Sequence, residues 1–190
     1  MLRRRLKFLA WLVALLVIVL GGSYLFAPQW LMRANHLREA MAAKLEKHSL
    51  QVGDSRWVYY EGGTGPTIVL LHGFASDKEV WLPLAKLLTP HFHLVIPDLP
   101  GWGESSRAPN ASYDVDAQAA RLDAFVQALR LPRILLVGHG TGGAIAGVYA
   151  ADHADRVAGL ALLDAFGLKA RENAFDRELQ AGRNPYLFDD

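Results

Sequence analysis

Four short aliphatic runs, each ending in glycine or proline, constrain this chain more than any other feature. TIVLLHG (67–73), HLVIPDLP (93–100), RILLVGHG (133–140) and RVAGLALLDAFG (156–167) are almost continuously apolar. That is the pattern of strands covered on both faces, as in a parallel sheet. Between them lie KEVWLPLAKLLTP (78–90), DVDAQAARLDAFVQALR (114–130) and TGGAIAGVYAADHA (141–154), which have helical spacing. In the second of these, Val115, Ala119, Leu122, Val126 and Leu129 share one face. Strands alternating with helices predict an α/β fold built on a doubly wound, mostly parallel sheet. RWVYYEGG (56–63) predicts one more strand, paired with SLQVGDS (49–55) before it.

The N-terminal fifty residues obey a different rule. Phe8 to Phe26 carry no charge, and at 1.5 Å per residue they reach about 28 Å as a helix, the thickness of a hydrocarbon core. Arg3, Arg4, Arg5 and Lys7 precede this run, which predicts a cytoplasmic N-terminus and a body on the other side of the membrane. Residues 1–27 therefore read as a transmembrane signal anchor whose partner is membrane lipid. A cleaved signal peptide, cut near Gly21-Gly22-Ser23, is the rival reading. Residues 28–49 predict an amphipathic stalk helix with Trp30, Ala34, Leu37, Met41 and Leu45 on its apolar face. It is expected to rest on the domain or on the membrane surface.

Composition narrows the chemistry. The 190 residues contain no cysteine, which excludes a disulfide scaffold, a thiolate metal site and a thiol nucleophile. Twenty Lys and Arg against nineteen Asp and Glu give a net charge of +1, so charge offers no reason to expect nucleic acid as a partner. Neither a metal nor a cofactor is expected.

Three glycine loops follow three of the strands, at the edge where open α/β sheets place their sites. They are Leu71-His72-Gly73-Phe74, Asp98-Leu99-Pro100-Gly101-Trp102-Gly103-Glu104-Ser105 and Gly138-His139-Gly140-Thr141-Gly142-Gly143. Gly138, Gly140 and Gly143 also fit a G-x-G-x-x-G dinucleotide loop, with Asp164 ending the next strand. That loop belongs on the first βα unit, however, and here it comes late in the chain.

Together, LLHGF, DLPGWGES and VGHGTGGAIA, in this order and spacing, resemble the α/β-hydrolase superfamily. The charged anchor, the stalk and NPYL near residue 187 are similar to its bacterial membrane-anchored, lipase- and esterase-like members. The resemblance covers the N-terminal part of such a domain: residues 50–167 are its strands and helices up to about the sixth strand, and 168–190 resemble the start of a lid. It implies an oxyanion hole from the Phe74 and Thr141 N–H groups, with His72, Gly73 and Trp102 beside the ligand, an acyl ester or a fatty acid. Trp81 is a further pocket or packing residue. Gly140 then falls at the nucleophile position, which has no side-chain oxygen. Asp164 is a candidate acid by analogy, or a residue that only caps its loop. The family's catalytic histidine is expected beyond residue 190. The resemblance therefore implies carboxylic ester hydrolysis for the family, but an inactive site in this chain. A non-catalytic, membrane-tethered acyl- or carboxylate-binding protein is the alternative, and a fragment without a stable fold is a third.

Overall fold

A computed structural model describes residues 2–26 and 28–167. The expected lid region, 168–190, lies outside the described residues. A six-stranded sheet has the order β1-β2-β4-β3-β5-β6. Its strands are β1 (Leu45–Val52), β2 (Ser55–Gly62), β3 (Thr67–Leu71), β4 (His93–Pro97), β5 (Ile134–His139) and β6 (Val157–Leu163). β1 and β2 form an antiparallel hairpin, β2 meets β4 antiparallel, and β4, β3, β5 and β6 run parallel to their neighbours. The α/β class and the mostly parallel sheet expected from the aliphatic runs are found.

Helices cover both faces. On one side α4 (Val115–Ala128) and α5 (Thr141–Asp152) close a core in which Trp57 stacks on Phe125, with ring centroids 4.3 Å apart. On the other side α3 (Leu82–Leu88) and α2 (Pro28–Ala42) cover Ile68, Leu70, Leu94 and Ile96. α4 starts where its sequence predicts, because the Asp114 carboxylate accepts from the Ala117 N–H as an N-cap. β1 and β6 are the edge strands among the described residues, and Leu160 and Leu163 of β6 are exposed.

Three local expectations are corrected. The helix expected over 78–90 is a 3-10 turn at Lys78–Trp81 followed by α3. Pro83 explains the break, since a residue without an N–H is tolerated only in a first helical turn. The stalk helix expected over 28–49 stops at Ala42, and Lys44 takes a positive φ of 53° to turn the chain into β1. Leu45 thereby leaves the helix for the sheet, opposite Gly62. Finally, the helix does not bury the face that its periodicity picks out. Ala40 and Ala43 are buried against the α3 side of the sheet, whereas Trp30, Leu37 and Met41 are exposed.

α1 (Leu2–Phe26) contains a 20-residue window of mean hydropathy 2.0, none of it buried in the molecule. One N-terminal helix is thus long and apolar enough to cross a membrane.

Candidate active site at a serine-less elbow

The centre of the site is the turn from β5 into α5. Gly140 sits there at φ 54°, ψ −119°, a combination that glycine adopts freely and an L side chain enters only with strain. The turn is tied down on both sides. The Gly140 N–H donates to the Leu163 carbonyl at 3.0 Å, and the Gly140 carbonyl accepts from Phe166 at 3.0 Å and from Gly143 at 3.0 Å. Gly138 and Gly142 let the strand, the helix and the β3 loop close in. A Cβ at either position would come within 2.3 Å of a backbone oxygen, that of Gly142 for the first and of His72 for the second.

Position 140 is different. A Cβ there would meet only the Gly73 Cα, at an ordinary 3.7 Å. The glycine at 140 is required by neither neighbour nor packing; it leaves open the place where a nucleophile's side chain stands in a strand–turn–helix elbow. The same contact puts the His72-Gly73-Phe74 loop beside that place. Thr141 is the first residue of α5, so its N–H has no intrahelical acceptor. No backbone carbonyl among the described residues accepts from the Phe74 N–H. Thr141 directly follows Gly140, and Phe74 directly follows Gly73, the residue whose Cα lies nearest the open place.

The remaining expected residues divide. Phe74 is 73% exposed and meets the half-buried Trp102 edge-on, with centroids 5.0 Å apart, so the two rings form one wall. Asp164 directly follows β6, with an exposed side chain and a φ of 50°. Trp81 is buried in the core under α3, and its packing reading holds. His72 is fully buried and spends both ring nitrogens on backbone. Its Nε2 accepts from the Leu99 N–H at 3.0 Å, which leaves Nδ1 to donate to the Gly73 carbonyl at 2.8 Å. Burial holds its pKa below the ordinary histidine value, consistent with a neutral ring. His72 is therefore a brace between the β3 and β4 loops, and does not face a ligand.

A second brace was not legible in the sequence. Lys78, fully buried, donates from Nζ to Asp98 Oδ2 at 2.7 Å and to Glu104 at 2.8 Å, and from its backbone N–H to Asp98 Oδ1 at 2.7 Å. Glu79 lies 3.0 Å from the same ammonium. Burial alone would lower the Lys78 pKa, but the hydrogen bond and charge of Asp98, with Glu104 and Glu79, outweigh it and raise the value above that of a free lysine. Burial pushes Glu79 up to about 7 against the pull of Lys78. For Glu104 burial acts upward too, yet Lys78 and Lys47 hold it below the ordinary carboxylate range. Gly103, at φ 53°, is needed because a Cβ there would strike the Asp98 carboxylate. The whole cluster ties the segment after Phe74 to the loop that carries Trp102.

A doubly wound sheet with a sharp glycine turn from strand to helix, and a glycine loop set against it, defines a hydrolase-type scaffold. The family model described as alpha/beta hydrolase fold matches residues 66–189, and the chain belongs to this family. It is similar to the monoacylglycerol lipase ABHD6 of Bos taurus, with 32% identity over 174 residues, 88% of this chain and 52% of that protein. It is also similar to lipase 1 of Psychrobacter immobilis, with 39% identity over 65% of this chain and 39% of the lipase. Among solved structures, a membrane phospholipase A described as a bacterial virulence factor superposes with a TM-score of 0.76 at 42% identity, over 94% of this chain and 58% of that one. The chain spans about half the length of these monoacylglycerol lipase relatives.

Proposed function

We propose that this chain is a membrane-anchored α/β-hydrolase-fold protein of the serine esterase or lipase type, whose chemistry is carboxylic ester hydrolysis and which is inactive as it stands because position 140 is glycine. The observation that carries this is Gly140, held in elbow geometry beside Gly73 with open room where a side chain would stand. The lipase and phospholipase names among its relatives support an ester or lipid ligand. α1 supports a single-pass anchor, with the four cations before it favouring a cytoplasmic N-terminus.

In a serine version of the site, the hydroxyl oxygen would attack the ester carbonyl and lose its proton to a base. The carbonyl oxygen would take the developing charge, accepting from the Phe74 and Thr141 N–H groups. Glycine supplies neither the oxygen nor the proton. Three of the described histidines are engaged away from position 140, whereas the His139 ring lies beside Gly73. His72 is sealed, His93 is paired with Thr67 and Glu61, and His153 sits on the α5 side next to Asp123.

An assay with p-nitrophenyl butyrate tests the reading. No turnover above a heat-denatured control is expected from the chain itself, nor from Gly140→Ser alone. A chimera in which the C-terminal half of a lipase relative follows residue 167 should turn over with serine at 140 and not with glycine. Turnover by the unaltered chain would overturn the proposal. The second reading, a non-catalytic acyl- or carboxylate-binding protein, is favoured by the same two N–H groups and open room. It is recognised by amide shifts at Phe74 and Thr141 on titration with butyrate, and dismissed if those amides stay still.

A further inference from the structure

α2 presents an inversion. At 100° per residue, Trp30, Ala34, Leu37 and Met41 fall within a sector of about 60°. Trp30 is 68% exposed, Leu37 61% and Met41 69%. The helix meets the body instead through Ala40 and through Ala43 just past its end, buried at 2% and 0% beside Leu45, Trp81 and Leu82, while Met32, also exposed, lies outside the stripe. A helix that buries alanines and turns its large apolar residues outward is not using the body to cover them. Exposed apolar side chains aligned on one helical face mark a contact with something else.

The chain itself indicates what that is. α2 begins two residues after α1, whose apolar window is wholly unburied and of membrane-spanning length, so the outward stripe continues from the end of the anchor. Arg33 and Arg38 flank the stripe on either side, both exposed, whereas Glu39, the one acid of α2, lies on the opposite side of the helix. Apolar residues edged by cations form the pattern of a helix lying in a lipid headgroup region.

We propose that α2 is an in-plane membrane helix, whose Trp30, Leu37 and Met41 enter the lipid interface while Ala40 and Ala43 hold the hydrolase body against it. This rests on the anchor reading of α1. The body would then be docked at the bilayer surface instead of swinging on a tether, with the α2–α3 side of its sheet facing lipid. A site for acyl esters gains from that arrangement, since its ligand is itself a component of the membrane.

The absence of cysteine makes the test direct. Single variants Leu37→Cys and Met41→Cys, with Leu15→Cys on α1 and Ala151→Cys on α5, are made in the full chain, spin-labelled, and reconstituted in vesicles of phosphatidylcholine and phosphatidylglycerol. Collision rates with oxygen, which partitions into lipid, and with a water-soluble nickel chelate are then compared. Ala151 lies on the helix layer of the opposite sheet face and serves as the aqueous reference. The expected result is an oxygen-to-nickel ratio several-fold higher at 37 and 41 than at 151. Labels at 37 and 41 that read like 151 overturn the proposal. So do labels shielded from both reagents, which would mean that protein, such as a second copy of this chain, covers the stripe. If label 15 reads lipid while 37 and 41 read water, only the docking proposal fails; if label 15 also reads water, the anchor reading fails with it.

Discussion

Replacing the three glycines of the elbow by alanine should separate a chemical vacancy from a packing requirement. At 140 the added methyl has room, with its nearest atom at 3.7 Å, so its cost is only the backbone strain of φ 54°, on the order of 1–3 kcal/mol. At 138 and 142 the methyl would stand 2.3 Å from a backbone oxygen. Neither oxygen can rotate away, because one belongs to α5 and the other to the loop that His72 pins, so strand, helix or loop must move. Overpacking against backbone at that distance belongs to the severe class, about 4 kcal/mol or more, above the strain expected at 140. Thermal unfolding of the full chain in detergent, followed by circular dichroism, reads the difference. For a chain of this size each kcal/mol moves Tm by about 2–4 °C. Gly140→Ala and Gly140→Ser are expected to fall by a few degrees and to unfold cooperatively. Gly138→Ala and Gly142→Ala should fall clearly further or lose the cooperative transition. The reasoning is refuted if Gly140→Ala is the most damaging of the alanine variants. It is equally refuted if all three behave alike, since the elbow would then not have the geometry on which the proposed function depends.

Two further outcomes follow from the buried charges. Lys78→Met leaves Asp98 without its ammonium in the core and should lower stability by about 3–5 kcal/mol, the range for breaking a buried pair. The double variant Lys78→Met/Asp98→Asn should lose less than the two single changes together, as a double-mutant cycle on thermal unfolding would reveal; full additivity would rule the pair out. Glu79 gives a pH signature. Its folded pKa of about 7 lies above the ordinary glutamate value of 4.5, so its effect on stability is most favourable below pH 4.5 and is lost as pH rises through 7. Glu79→Gln removes that loss, so the Tm of the variant relative to the parent should rise between pH 5 and pH 8, with roughly 3 kcal/mol as the ceiling. A difference that stays flat or falls over this window contradicts the assigned shift.

What was legible in the sequence was what local spacing controls. The aliphatic runs predicted the strands from residue 67 onward, since continuous burial on both faces leaves little but aliphatic residues, and glycine at 138, 140 and 142 marked a tight turn. Lys78 was invisible because a lysine at the start of a helical run reads as solvated, and its partner Asp98 lies twenty positions away on another strand's loop. Only the folded sheet brings those two loops together. His72 failed for the opposite reason: a histidine in a site motif invites a ligand role, while its two backbone bonds depend on Leu99 and on a turn that spacing does not specify. α2 is the most instructive case. Periodicity correctly grouped Trp30, Ala34, Leu37 and Met41 on one face, but it carries no sign: it tells which residues travel together, not which side meets the body. For a soluble helix the two questions share one answer, because water forces the large apolar residues inward. In the proposed docking they separate here, because Ala40 and Ala43 allow close packing on the inner side while lipid would cover the outer one.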